Sequence, residues 1–223
     1  MPSLICFDLD DTLYKERQYV ASGFRAVAAE VAPAAGLNER MVLQIMRNAP
    51  NAFDSLAALI VHTPAAEVYT IPRMVEIYRA HKPEITPTPG TEEVLAELKR
   101  RGHVMGIITD GNPTRQHAKI KALGLEKYFD AGNITVSEDT PTDKHTPYPF
   151  AAAERLAPGL PRYYIGDNVS KDFHWPNLRG WNTVMLRDFD GVNIFPQDPM
   201  AVPPEFRART TVDSISELLK ITT

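Results

Sequence analysis

The sequence predicts an α/β fold in which a parallel sheet is interrupted, soon after its first strand, by an all-helical insertion. Three observations lead there. Leu4-Ile5-Cys6-Phe7 is a short apolar run that reads as a buried strand, followed at once by Asp8 and Asp10. From about Glu16 to His81 no convincing strand pattern occurs, and apolar residues recur at helical spacing instead. After that stretch, short apolar runs alternate with helix-patterned segments, which argues for a parallel sheet with right-handed crossovers.

The elements follow in order. Phe24, Val27 and Val31 mark a first helix of the insertion. Asn38 suits the cap of a second carrying Met41, Val42, Ile45 and Met46. Pro50 or Asn51 opens a third with Phe53, Leu56, Leu59 and Ile60, and Thr63-Pro64 reads as a cap followed by a first-position proline. Pro72 breaks or restarts the pattern before Met74, Ile77 and Tyr78. These stripes read as packing surfaces rather than ligand contacts. The prolines at 83, 87 and 89 suit a stiff extended return. Thr91 is then expected to cap a helix with Glu92 and Glu93 in its first turn and Lys99, Arg100 and Arg101 in its last, a distribution that complements the helix dipole. Strand and helix patterns alternate over about 103–109, 113–123, 133–137, 147–157, 162–166, 173–179 and 183–186. Residues 188–207, rich in Pro and Gly, read as an irregular loop. A short strand at Thr210–Val212 precedes a helix opened by Asp213 or Ser214, with Glu217 completing a capping box.

Composition narrows the function classes. The chain has 223 residues, 43% of them hydrophobic and 23% charged, as an ordinary globular protein does. A net charge of −4 offers no long-range attraction for nucleic acid or an anionic membrane. No apolar stretch approaches the length of a membrane span, and the N-terminus lacks the pattern of a secretory signal. The single cysteine, Cys6, rules out an intramolecular disulfide and fits a reducing, cytoplasmic setting.

Asp8 and Asp10 lie two residues apart at the C-terminal end of a strand, where open α/β sheets bind ligands. Two carboxylates in one crevice repel each other unless a cation lies between them. On its own this stretch reads equally well as a solvated turn with a helix cap. Thr109 and Asn112 alone read as a strand end and a helix cap, Lys144 alone as a solvated lysine, and Gly166-Asp167 alone as a turn. Asp11 reads as a turn or cap residue, and His117, His174, Trp175 and Trp181 as structural. Tyr14, Lys15 and Tyr19, just past the first acidic motif, are placed on the cleft between the helical insertion and the sheet core.

Taken together and in order, four motifs resemble the haloacid dehalogenase (HAD) superfamily. They are Asp8-x-Asp10-x-Thr12 after a strand, a strand ending in Thr109, Lys144 in Lys-His-Thr-Pro-Tyr-Pro-Phe, and Gly166-Asp167 followed by Asp172. Two departures stand out. His145 replaces a frequent proline, and Asp110 stands where many relatives have asparagine. The resemblance spans nearly the whole chain. It implies a Rossmann-like doubly wound core over residues 1–15 and 83–223, with a helical cap over 16–82. It also implies a phosphatase acting on a small phosphorylated metabolite (a sugar phosphate, a nucleotide or similar) through an aspartyl-phosphate. Asp8 would be the nucleophile. Asp10 would be the acid and then the base. Mg²⁺ would be held by Asp8, the Asp10 backbone carbonyl and Asp167. Thr109, Asp110, Gly111 and Lys144 would grip the phosphate, with the helix opened by Asn112 adding its dipole. Asp172 would orient Lys144 or metal-bound water. A phosphomutase on the same core remains the alternative. A dehalogenase is less favoured, because a halide leaves without a proton and does not need Asp10. A non-catalytic binding protein would be expected to lack some of Asp8, Asp10, Lys144 and Asp167.

Overall fold

In the computed structural model, which describes residues 1–139 and 143–222, Leu4–Phe7 forms β1, every residue of it buried. Five helices follow: α1 (Glu16–Ala34), α2 (Glu39–Asn48), α3 (Ala52–Ile60), α4 (Ala65–Val68) and α5 (Ile71–Ala80). Then come α6 (Thr91–Arg100), β2 (Val104–Thr109), α7 (Pro113–Ala122), β3 (Ile134–Val136), α8 (Tyr148–Glu154) and β4 (Arg162–Gly166). The chain ends with α9 (His174–Leu178), β5 (Asn182–Leu186), β6 (Thr210–Val212) and α10 (Leu218–Ile221). Among the described residues the strands form one six-stranded sheet in the order β3-β2-β1-β4-β5-β6, every pairing parallel. The expected α/β fold is thus present, with β1 at the centre and its neighbours supplied by distant parts of the chain.

The chain forms two compact units, Met1–Arg17 with Thr86–Thr223, and Gln18–Ile85. In the first, Leu4, Cys6, Ile108, Tyr164 and Met185 of the sheet pack with Phe150, Ala153 and Trp181. Trp181 is fully buried, and its indole N–H donates to Glu154 Oε1 at 2.9 Å, so the large ring is buried without an unpaired donor. The second unit is helical and has its own core, in which Val27, Val31, Val42, Met46, Leu56, Ile60, Met74 and Ile77 meet. These are stripe positions legible in the sequence; Met41, expected on the same stripe, is exposed.

Several local expectations need correction. Thr91 does not cap α6. Gly90 precedes the helix with φ +85°, a conformation an L side chain rarely adopts, and Thr91 is the first helical residue, fully buried. Thr63 does not cap α4 either; its hydroxyl donates back to the Ile60 carbonyl, closing the end of α3. Thr70 caps the following helix instead, accepting from Arg73 N, with Pro72 inside its first turn. The capping box at Ser214 and Glu217 is present, but it opens a 3₁₀ turn before α10.

Candidate active site

The sheet order brings three motif residues together before any side chain is considered. Thr109 ends β2, Asp8 follows β1 and Asp167 follows β4, on three adjacent strands at their C-terminal ends. The Asp8 amide donates to Ile165 O at 2.8 Å, so the ladder runs one residue past β1 and fixes the backbone that carries the first carboxylate.

Lys144 is the hub of the buried charge. Its Nζ lies 2.7 Å from Asp8 Oδ1, 2.6 Å from Asp172 Oδ1 and 3.3 Å from the Tyr164 hydroxyl. The other oxygen of Asp172 accepts the amides of Asp167 and Asn168 at 3.1 and 2.8 Å. Asp172 therefore orients Lys144 and the turn after β4. The turn leaves no room for a side chain at Gly166, where an added Cβ would lie 2.5 Å from Asp172 Oδ2. Gly166→Ala is expected to push Asp172 off Lys144, to destabilise the fold by about 1–3 kcal/mol and to slow turnover. Thermal melting and a rate assay check this, and wild-type values in both would show that the close approach is dispensable.

Carboxylate oxygens of Asp8, Asp167 and Asp172 lie within 4.8 Å of one another. Burial, opposed by Lys144, pushes the Asp8 carboxyl up to about 6. Burial, with Asp172 and Asp8 nearby, pushes Asp167 up to about 9. Three buried acids facing one ammonium are short of positive charge, and their donors are all oxygen, which fits a hard divalent cation. With Asp172 committed to Lys144 and two amides, Asp8 and Asp167 are the carboxylates left to hold one.

Asp10 sits in different company. Its Oδ1 accepts from Lys119 Nζ at 2.7 Å and from the Tyr14 hydroxyl, and its Oδ2 accepts from Gln116 Nε2 at 3.0 Å. Burial pushes the Asp10 carboxyl up, but the Lys119 ammonium and these hydrogen bonds more than offset it and hold it below the usual range. Gln116 Nε2 also lies 2.6 Å from Thr109 Oγ1. On the next turn, the Gly111 amide donates to Ser137 Oγ, and Asp110 accepts from the Lys144 amide and from Lys171 Nζ at 3.4 Å. Asn112 caps α7 by accepting from Arg115 N. A cavity of about 110 Å³ is lined by Asp8, Asp10, Thr109, Asp110 and Asp167, with Glu16, Arg115, Lys171 and Phe195 also on its wall. Glu16 is pushed up to about 7, first by burial and then by Asp10.

Several contributors lie outside the sequence motifs. Asn193 donates to Asp167 Oδ2 at 2.9 Å and accepts from Lys15 Nζ at 2.6 Å; Gln197 donates to the Asp167 carbonyl; the Ile194 amide donates to Asp11 Oδ2. The irregular loop after β5 thus braces the acidic turn. Asp11, at φ +55°, accepts from Glu16 N with its other oxygen, which agrees with a turn and cap role. Tyr14 packs within the first unit and Tyr19 within the second. Both are buried, Tyr14 against Asp10 and Tyr19 edge-on to Tyr78. Lys119 left a trace in the sequence: Gln116, Lys119, Ile120 and Leu123 share one helical face, and a lysine on a buried face needs a partner. Asn193 and Gln197 left none.

The model of the haloacid dehalogenase-like hydrolase family matches residues 2–173. A glyceraldehyde 3-phosphate phosphatase of Methanopyrus kandleri is 28% identical, across 99% of this chain and 100% of its own. A ribulose-1,5-bisphosphate 5-phosphatase of Halopiger xanaduensis is 24% identical, across 98% of each. Among solved structures, a HAD-superfamily hydrolase of subfamily IA, variant 1, from Geobacter sulfurreducens superposes with a TM-score of 0.67 at 15% identity, covering 100% of this chain and 97% of that one. No helix among the described residues is long and apolar enough to cross a membrane. The family model covers well over half of the chain, the four motifs meet at one end of the sheet, and the chain belongs to the haloacid dehalogenase-like hydrolase family.

Proposed function

We propose that the protein is a Mg²⁺-dependent phosphatase that hydrolyses a small phosphate monoester, of the sugar phosphate class, through an aspartyl-phosphate on Asp8. The observation that carries the reading is the separation of two acids of one motif: Asp8 is held by Lys144, and Asp10 by Lys119. Two chemical roles need two environments. Asp8 Oδ1 is fixed by Lys144, which also supplies positive charge where a phosphoryl dianion would approach. Phosphate oxygens would meet Lys144, the Thr109 hydroxyl and the N-terminal turn of α7. The Gly111 amide joins them only by leaving Ser137.

Asp10 takes the proton-transfer role. Because Lys119 and its hydrogen bonds hold it below the usual carboxylate range, Asp10 first takes up a proton from solvent and then donates it to the leaving alkoxide as the oxygen–phosphorus bond breaks. It then takes a proton from the water that attacks the aspartyl-phosphate, which returns Asp8 as a carboxylate and releases inorganic phosphate. Asp8, Asp167 and the Asp10 backbone carbonyl would hold Mg²⁺, which when bound offsets the charge of phosphate and acids. The sugar-phosphate class rests on the two phosphatase relatives and on the polar and charged wall formed by Glu16, Arg115 and Lys171. Helices between the first two motifs would act as a cap that sets specificity.

Released phosphate, measured over a panel of phosphorylated metabolites with Mg²⁺, tests the reading. Sugar phosphates should be hydrolysed well above phosphorylated amino acids and nucleotides. A haloacid in the same assay should release no halide. Activity on an aryl phosphate should disappear in excess chelator and return with Mg²⁺; full activity in the chelator would remove the metal from the reading.

A further inference from the structure

We propose that Lys119 and Gln116 are positioning residues, which fix the Asp10 carboxylate from both sides and tie its orientation to Thr109. The inference rests on the reading of Asp10 as the proton-transfer group. Gln116 and Lys119 lie one turn apart on the same face of α7, both essentially without exposure. Each takes a different oxygen of Asp10, at 3.0 and 2.7 Å, and the Tyr14 hydroxyl shares the lysine's oxygen. A carboxylate held this way cannot swing about its terminal torsion, which is otherwise broad. Gln116 uses the same amide nitrogen to reach the Thr109 hydroxyl at 2.6 Å, so one side chain sets the acid–base group and the end of β2 against each other.

Packing alone does not require a lysine here. A buried ammonium loses its hydration and persists only where a carboxylate repays it. Asp8 has its own lysine in Lys144, and the second buried lysine forms its ion pair with Asp10. Asp10 is also the more open partner, its side chain 20% exposed against 2% for Lys119. The lysine is therefore the fixed wall, and Asp10 the group presented to the cavity.

A double-mutant cycle separates positioning from plain charge balance. Single-turnover rates of the first step would be measured for Lys119→Met, Asp10→Asn and the double variant, each on an alkyl and a nitrophenyl phosphate. Lys119→Met should slow the alkyl substrate by about 10- to 100-fold, the size expected for a misplaced catalytic group, and the aryl substrate by clearly less. On the Asp10→Asn background, Lys119→Met should add less than about a twofold loss, because the group it positions is gone. An equal loss on both substrates, or a full loss repeated on the Asp10→Asn background, overturns the inference. Should Lys119→Met alone fail to fold, Asp10→Asn against the double variant still decides, since the double removes both charges. If Asp10→Asn itself shows no dependence on leaving group, the role of Asp10 falls and the positioning role with it. If Asp10→Asn is selective and Lys119→Met is not, the inference falls alone.

Discussion

Asp8→Asn is expected to lower turnover by at least about three orders of magnitude while the protein stays folded. Asparagine keeps the shape and can still accept the Lys144 hydrogen bond now made at 2.7 Å, but its amide cannot serve as the nucleophile. Stability should move the other way. Burial raises the Asp8 carboxyl from its usual 3.8 to about 6, so the folded protein binds this proton more tightly than the unfolded chain. The stability tied to that proton is present below pH 4 and is lost as pH rises through about 6. A neutral asparagine has no such loss. In chelator-treated protein the melting temperature of Asp8→Asn relative to wild type should therefore climb between pH 4 and 6. Near-normal turnover would take Asp8 out of the chemistry, and a flat difference in melting across that range would show that burial does not set its charge.

The parts of this site that the sequence discloses are those fixed by local pattern. An apolar run followed by an acid reads as a strand end, and Asp8 and Asp167 occupy the ends of two strands that pair directly. Lys144 carries no local signal, since a lysine in a polar loop is normally solvated; only its place in an ordered set of motifs marks it, and in the fold it is buried. Thr91 misleads because threonine before an acidic turn suits a cap, whereas the chain needs a positive φ one residue earlier and only Gly90 supplies it cheaply. Asn193 and Gln197 lie in a loop without periodicity, 26 and 30 residues from Asp167, and only the crossover from β5 to β6 brings them back over the acidic turn. Lys119 is intermediate. Its helical face is readable, but its partner lies 109 residues away.

The clearest separation of Asp10 from Asp8 comes from the leaving group. Asp10→Asn should leave Mg²⁺ binding intact, because only the backbone carbonyl at that position is assigned to the metal, and calorimetric titration of the variant checks this. The asparagine carbonyl oxygen can take the place of Oδ1 and still accept from the Tyr14 hydroxyl, but the amide nitrogen in place of Oδ2 cannot accept from Gln116, and the Lys119 ammonium loses the carboxylate it pairs with at 2.7 Å. Proton transfer is what disappears. An alkyl phosphate departs as a strongly basic alkoxide and should slow by about 10²–10⁴-fold, the range for general acid assistance. Nitrophenolate is a weak base that departs unassisted, so the first step on nitrophenyl phosphate should slow far less. The second step still needs a base for water, so phosphorylated Asp8 should build up and nitrophenolate should appear as a burst. Single-turnover rates on both substrates test this, and an equal loss on the two would mean that Asp10 does something other than protonate the leaving oxygen.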